Sequence, residues 1–231
     1  MKYRVKFSKN GAIKYIGHLD VMRYFQKVIR RAEIPIAYSE GFSPHQILSF
    51  AFPLSVGFTS EGEYFDMELT EVVNEGNLID MFNQKMNEGI SVTNIRKLPD
   101  KSANCMASVF ASKYEITIHD DILLPENWCA DSVDHFSQLT IMVNKPKKKG
   151  GGFIEINLKD YLYDFSIINR TISFIVNSSS SSNIKPEFIL QCVFDNLNCE
   201  YPQYGYDVHR VDIFGNAGTE ENIKLVSLLD F

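Results

Sequence analysis

The sequence predicts an α+β protein made of tandem ferredoxin-like (split βαβ) halves, the second of them decorated. Three observations lead there. Residues 1–98 alternate period-two segments, the mark of half-buried strands, with two segments of helical spacing, in the order β-α-β-β-α-β. Residues 99–111, with Pro99, Asp100, Ser102 and Asn104, read as a linker. Residues 112–231 then begin again with strand and helix signals, so a second α+β domain is expected there.

Tyr3, Val5 and Phe7 alternate with Arg4 and Lys6, giving a first strand that ends at the turn Lys9-Asn10-Gly11. Over residues 19–32, Met22, Phe25, Val28, Ile29 and Ala32 keep helical spacing, and Pro35 stops the helix. Residues 47–53 and 63–69 read as strands, 78–86 as a helix and 90–98 as a strand. In the second half, strands are expected at 114–118, 140–144, 153–158 and 208–214. A hairpin is expected at 163–176, turning on Asn169-Arg170. Helices are expected at 127–138 and at 186–197, the latter with Pro186 in its first turn.

With 231 residues, 45% of them hydrophobic, the chain can bury a substantial core. No run reaches the roughly 20 apolar residues of a membrane span, and the amino terminus lacks the apolar segment of a secretion signal. A cytoplasmic protein without membrane contact is therefore expected. The scattered Cys105, Cys129, Cys192 and Cys199 form no CxxC pair, so reduced thiols are expected rather than a metal site. The absence of CxxxCxxC, of a Walker loop and of GxGxxG leaves no cofactor expected in this chain.

Net charge is −6, but its distribution is uneven. Residues 1–50 carry nine Lys or Arg against three acids, whereas residues 51–100 carry three against nine. A basic entrance on an acidic body points to an anionic partner more specifically than the total does.

Several segments could carry chemistry. Gly17-His18-Leu19-Asp20 opens the first helix, and Arg23, Lys27 and Arg30 form a basic stripe along it; together they suit an anion. In Tyr38-Ser39-Glu40-Gly41-Phe42-Ser43-Pro44-His45, glycine and proline shape a loop that offers hydroxyls, an imidazole and stacking rings. Residues 53–62 form a glycine- and hydroxyl-containing loop. Ser178 to Ser182 lead through Asn183 and Lys185 into a helix start, Lys145 and Lys147–Lys149 form a basic loop, and His209-Arg210 borders the last strand. Glu63 and Asp66, three apart on a strand, should face opposite sides and so make a poor catalytic pair.

The motifs Gly17-His18-Leu19-Asp20-x-x-Arg23, Tyr38-Ser39-x-Gly41-Phe42-x-Pro44-His45, Ser49-Phe50-Ala51-x-Pro53-Leu54-x-x-Gly57 and Ser60-x-x-Glu63-Tyr64-x-Asp66 resemble the bacterial radical SAM-linked protein family. Asn183-x-Lys185-Pro186 and His209-Arg210 fit its carboxy-terminal part. The sequence departs from that family at Gln46 and near Asn157-Leu158-Lys159. The resemblance implies a domain of unknown function, fused to or encoded beside cobalamin-binding-type radical SAM proteins, in the company of ribosome and RNA-processing functions.

Three functions stay open at this stage. The first is a non-catalytic accessory partner that presents RNA, a ribosomal component or another anionic substrate to a radical SAM protein. Its substrate-binding residues would be His18, Asp20, Arg23, Lys27, Arg30, Tyr38, Ser39, Gly41, Phe42, His45, Asn183, Lys185, His209 and Arg210. The second is a metal-independent RNA-processing enzyme with His18 and His45 as acid and base. The third is a protein–protein scaffold. All three rest on the expectation that the basic amino-terminal residues and both imidazoles share one cleft.

Overall fold

The structure is a computed structural model that describes residues 1–147, 150–219 and 221–231. It is α+β, and its strands pair mostly antiparallel. The chain divides into two compact units, residues 1–110 with 210–231, and residues 111–209. The last 22 residues, assigned from sequence to the second half, thus belong to the first unit.

The first unit contains β1 (Lys2–Lys9), α1 (His18–Arg31), β2 (Leu48–Phe50), β3 (Thr59–Glu68), α2 (Glu75–Asn83), β4 (Ile90–Lys97) and the short α3 (Cys105–Ser108). It is completed by the end of β10 (Tyr206–Asn216) and by β11 (Leu225–Ser227). Its strands run in the order β4-β1-β3-β10, with β2 on β3 and β11 on β10. The pairings β1·β3, β1·β4, β2·β3 and β10·β11 are antiparallel.

The strand period decides what each face buries. Tyr3, Val5 and Phe7 of β1 and Phe65 and Met67 of β3 point to the side where α1 places Phe25, Val28 and Ile29, and α2 places Leu78 and Phe82. Phe25 is the hub, 4.7 Å from Phe7 and 4.7 Å from Phe65 between ring centroids. Each such edge or tilted pair contributes about 0.5–1.5 kcal/mol beyond the area it buries.

The opposite face of β1 and β3 holds charge. Arg4 donates from Nε to Asp66 Oδ1 at 2.8 Å and from Nη2 to Oδ2 at 3.1 Å. It also donates to the backbone oxygens of Ala103 and Leu228. The Cys105 backbone N–H reaches Asp66 Oδ2 at 2.7 Å, and its thiol, fully buried, is pushed up to about 12, mainly by burial. Residues 99–111 are therefore no free linker. Asn104 caps α3, whose Cys105 closes over the buried ion pair.

The second unit contains β5 (Ala111–Ile118), α4 (Trp128–Ser137), β6 (Met142–Pro146), β7 (Phe153–Asn157), β8 (Leu162–Ile168), β9 (Thr171–Asn177) and α5 (Pro186–Asn196). The order β5-β9-β8 is antiparallel throughout, and β6 and β7 pair as a separate two-stranded sheet. The β8–β9 turn is the one expected at Asn169-Arg170. Asn169 adopts φ 54°, and Arg170 Nε donates to the Ile118 carbonyl at 3.0 Å. On α5, Ile189, Leu190, Val193 and Phe194 are buried at helical spacing.

One glycine permits the approach of β10 to β3. A Cβ on Gly62 would lie 2.5 Å from Asp212 Cα and 2.6 Å from the Val211 carbonyl oxygen, both backbone atoms. Gly62→Ala should therefore destabilise the protein by about 1–3 kcal/mol in urea unfolding, as over-packing does. Gly17→Ala, whose new methyl meets only Asp20 Oδ2 at 4.0 Å, should cost much less. Equal losses for the two variants would refute the close approach.

Candidate functional site

Helix α1 is amphipathic, and its two faces do different work. Val21, Phe25, Val28 and Ile29 are buried, which turns Arg23, Lys27 and Arg30 outward. Asp20 sits in the first turn, where a carboxylate complements the helix dipole. It lies 3.5 Å from Arg23 as a loose surface pair, both side chains more than 60% exposed. Such a pair contributes little stability and leaves both groups accessible.

The segment after α1 folds back onto it. Ala37 donates to the Glu68 carbonyl at 2.7 Å, and Ile47 donates to the Ala37 carbonyl at 2.9 Å, which anchors both ends of a loop. Within that loop Ser39 Oγ and His45 Nδ1 are 2.8 Å apart, and the His45 backbone N–H donates to Ser39 Oγ at 3.1 Å. Ser39 N–H donates to the His45 carbonyl at 2.8 Å. Gly41 supplies φ 107°, which other residues rarely adopt, so the tip can turn sharply. Phe42 consequently projects with its whole side chain in solvent, and Tyr38 is half exposed. At the loop base, Gln46 Nε2 donates to the Gln26 carbonyl of α1 at 3.3 Å. The base of the loop is thereby tied to α1. Ser39 and His45 act within the loop, closing it.

His18 goes elsewhere. It is half-buried, edge-on to Phe50 at 5.7 Å, in a cleft shared with Lys9, Phe52 and Glu63. Burial lowers its pKa, and the Lys9 ammonium lowers it further, so it is neutral at neutral pH. Lys9 is 2% exposed and donates to the carbonyls of Lys14 and Ile16 at 3.2 and 2.9 Å. It thus pins the 3-10 turn Gly11–Tyr15 to the end of β1.

Glu63 is buried as well. Arg210 Nη1 lies 3.0 and 3.1 Å from its two carboxylate oxygens. Arg210 also donates to the carbonyls of Phe52 and Pro53 and lies over the Phe52 ring at 5.2 Å. Burial raises the Glu63 pKa, against the pull of Arg210, Ser60 and Lys9. The cleft has room of about 10 Å³, the space of one water molecule. It offers a neutral imidazole but no space for a substrate.

The two imidazoles therefore make separate contacts, and the single shared cleft expected from sequence is not formed. Arg210, at 1% exposure, is spent on Glu63 and cannot meet an outside anion; it is a structural cation. Asn183, Lys185 and His209 lie in the second unit. There Lys185 is exposed and Asn183 accepts through its carbonyl from Lys145 Nζ at 2.7 Å. Lys148 and Lys149 of the basic loop lie outside the described residues. Among the described residues, no group of three or more His, Cys, Asp or Glu side chains is placed to hold a metal ion, and no helix is long and apolar enough to cross a membrane.

Sequence reasoning missed Lys9 and set Glu63 aside. Both had a signal in the strand period. Glu63 is in phase with the inward Phe65 and Met67, and Lys9 follows Tyr3, Val5 and Phe7. A charge on the buried phase of a strand needs a buried partner.

The family model of DUF2344, uncharacterized proteins conserved in bacteria, matches residues 2–186. The chain belongs to this family. No curated protein matches it. Among solved structures it is similar to a chain of the crystal structure of a Cbf5-Nop10-Gar1 complex, at 11% identity and a TM-score of 0.45. That similarity covers 91% of this chain and 48% of the other, so the DUF2344 chain spans about half the length of that neighbour.

Two outcomes test the buried charges. Arg210→Met should cost about 3–5 kcal/mol in chemical unfolding, because it strands the Glu63 carboxylate. Glu63→Leu combined with Arg210→Met should recover part of that loss. A double variant no better than Arg210→Met would show that Arg210 stabilises by packing alone. For His18 the sign follows from its lowered pKa in the fold. Below the unfolded value near 6.5 the unfolded chain binds the proton more readily, so stability falls as pH drops through that value toward the depressed folded one. Thermal unfolding should thus show a smaller acid loss for His18→Asn than for the wild type; parallel curves would contradict the shift.

Proposed function

We propose that this DUF2344 protein is a non-catalytic binding module, whose surface of α1 and loop 38–46 holds single-stranded RNA for a partner radical SAM enzyme. The observation that carries the reading is the hydrogen bond from Gln46 to the Gln26 carbonyl. It ties the base of the loop that bears the exposed Phe42 and Tyr38 to the helix that bears the exposed Arg23, Lys27 and Arg30. Guanidinium and ammonium groups attract a phosphate backbone, and an exposed ring offers a stacking platform that tolerates any base. Single strands leave bases free to stack, whereas a duplex does not. The tight cleft beside His18 favours binding over catalysis at that position.

The link to a radical SAM protein and the cytoplasmic setting come from the motif resemblance. The fold fits the same reading. The order β1-α1-β2-β3-α2-β4, with β2 and β1 flanking β3 and β4 outside β1, supports a ferredoxin-like first unit. The second unit would be a decorated relative of it, with the β6–β7 hairpin as the addition.

Fluorescence anisotropy with a labelled single-stranded RNA tests the proposal. Affinity should fall with salt, log K against log salt having a slope of about −0.7 for each phosphate neutralised. Arg23→Glu with Lys27→Glu should reduce both affinity and slope. Phe42→Ala should cost about 1–3 kcal/mol of binding, the range for base stacking, without lowering the melting temperature. RNA binding indifferent to Phe42 and to the stripe would overturn the proposed surface. Co-purification with the radical SAM protein, from cells that make both, tests the partner.

A further inference from the structure

The second unit contains a cavity of about 640 Å³, a volume within the usual range for small-molecule sites. Its cations come from separate parts of the chain. Lys145 lies on β6 and Lys147 just beyond it, while Lys185 immediately precedes α5. The Lys145 ammonium donates to the Asn183 carbonyl at 2.7 Å, so the hairpin and the segment entering α5 are fastened together at the cavity. Phe188 of α5 and Tyr201 supply ring surface to the walls. Tyr201 is held in place, its hydroxyl 2.8 Å from that of Tyr206 and its ring edge-on to Phe194. Glu187 is the one acid among the lining residues.

Three lysines line one concavity, and their positive charge favours a bound anion. The rings call for a flat apolar body attached to the anion. Glu187 adds a hydrogen-bond acceptor, which suits sugar hydroxyls or base N–H groups and disfavours a second phosphate. We infer that this cavity binds a nucleoside monophosphate group, its phosphate among Lys145, Lys147 and Lys185 and its base against Phe188 and Tyr201. The group can be a free nucleotide or the phosphorylated end of an oligonucleotide. The inference does not depend on the RNA surface proposed for the first unit, since none of its residues belongs to that surface.

Isothermal titration of the full chain tests it, with uridine and adenosine monophosphates, uridine, inorganic phosphate and a 5′-phosphorylated tetranucleotide as probes. A monophosphate should bind saturably, and removing either its phosphate or its nucleoside should weaken binding by roughly tenfold or more. Lys147→Glu with Lys185→Glu should abolish binding while leaving the melting temperature unchanged. Phe188→Leu, which keeps an apolar side chain, should weaken it. Arg23→Glu with Lys27→Glu should leave monophosphate binding as it was, which separates this site from the proposed RNA surface. Tighter binding of the tetranucleotide would assign the phosphate to a chain end, and equal or weaker binding would assign it to a free nucleotide. The inference is overturned if no probe saturates, if inorganic phosphate binds as well as the monophosphates, or if Lys147→Glu with Lys185→Glu binds normally.

Discussion

Strand β3 carries two carboxylates that water cannot reach, and much of the first unit is arranged around keeping them neutralised. Asp66 faces one side of the sheet and is held by Arg4 of the neighbouring β1. Glu63 faces the other side and is held by Arg210, 147 residues away in the chain. An ionised carboxylate is costly to bury alone, so each position obliges a cation to be folded in with it. Arg210 enters the first unit for that purpose and ties the loop at Phe52 and Pro53 to the end of the chain. Arg4 gathers the carbonyls of Ala103 and Leu228 in the same way.

These internal pairs leave few cations of the first unit's sheet available for ligands. Arg4, Lys9 and Arg210 are all buried, although Arg4 and Lys9 count toward the positive balance of the first fifty residues. What faces outward is the solvent side of α1, whose apolar side is locked into the phenylalanine core. A helix of this kind, with the base of a glycine-turned loop tied to it through Gln46, turns its charged side to solvent. The same frame explains the neutral His18. Its ring packs against Phe50 and shares its cleft with an ammonium, so protonation there is opposed by both burial and charge.

Local patterns placed most elements within a few residues. The alternation of Tyr3, Val5 and Phe7, the helical spacing from Met22 to Ile29 and the Asn169-Arg170 turn each reappear in the structure, because each depends only on neighbours in the chain. The basic stripe was legible for the same reason, since i, i+4 and i+7 share a helix face wherever the helix is. Arg210 was misjudged: its sequence neighbourhood, Val208-His209-Arg210, contains nothing that announces Glu63. Asn104-Cys105 looked like linker because the partner of its backbone N–H, Asp66, is 39 residues distant.

Taken alone, then, the amino-acid order determined most of the strands and helices, which side of each is apolar, and that positive charge gathers in the first fifty positions. Only the tertiary structure decided which of those charges meet solvent, that His18 and His45 serve different surroundings, and that the last 22 residues return to the first unit. The division has one physical cause. Periodicity is set by bonds between adjacent residues, whereas the fate of a charge is set by burial and by the partner that long-range packing brings to it.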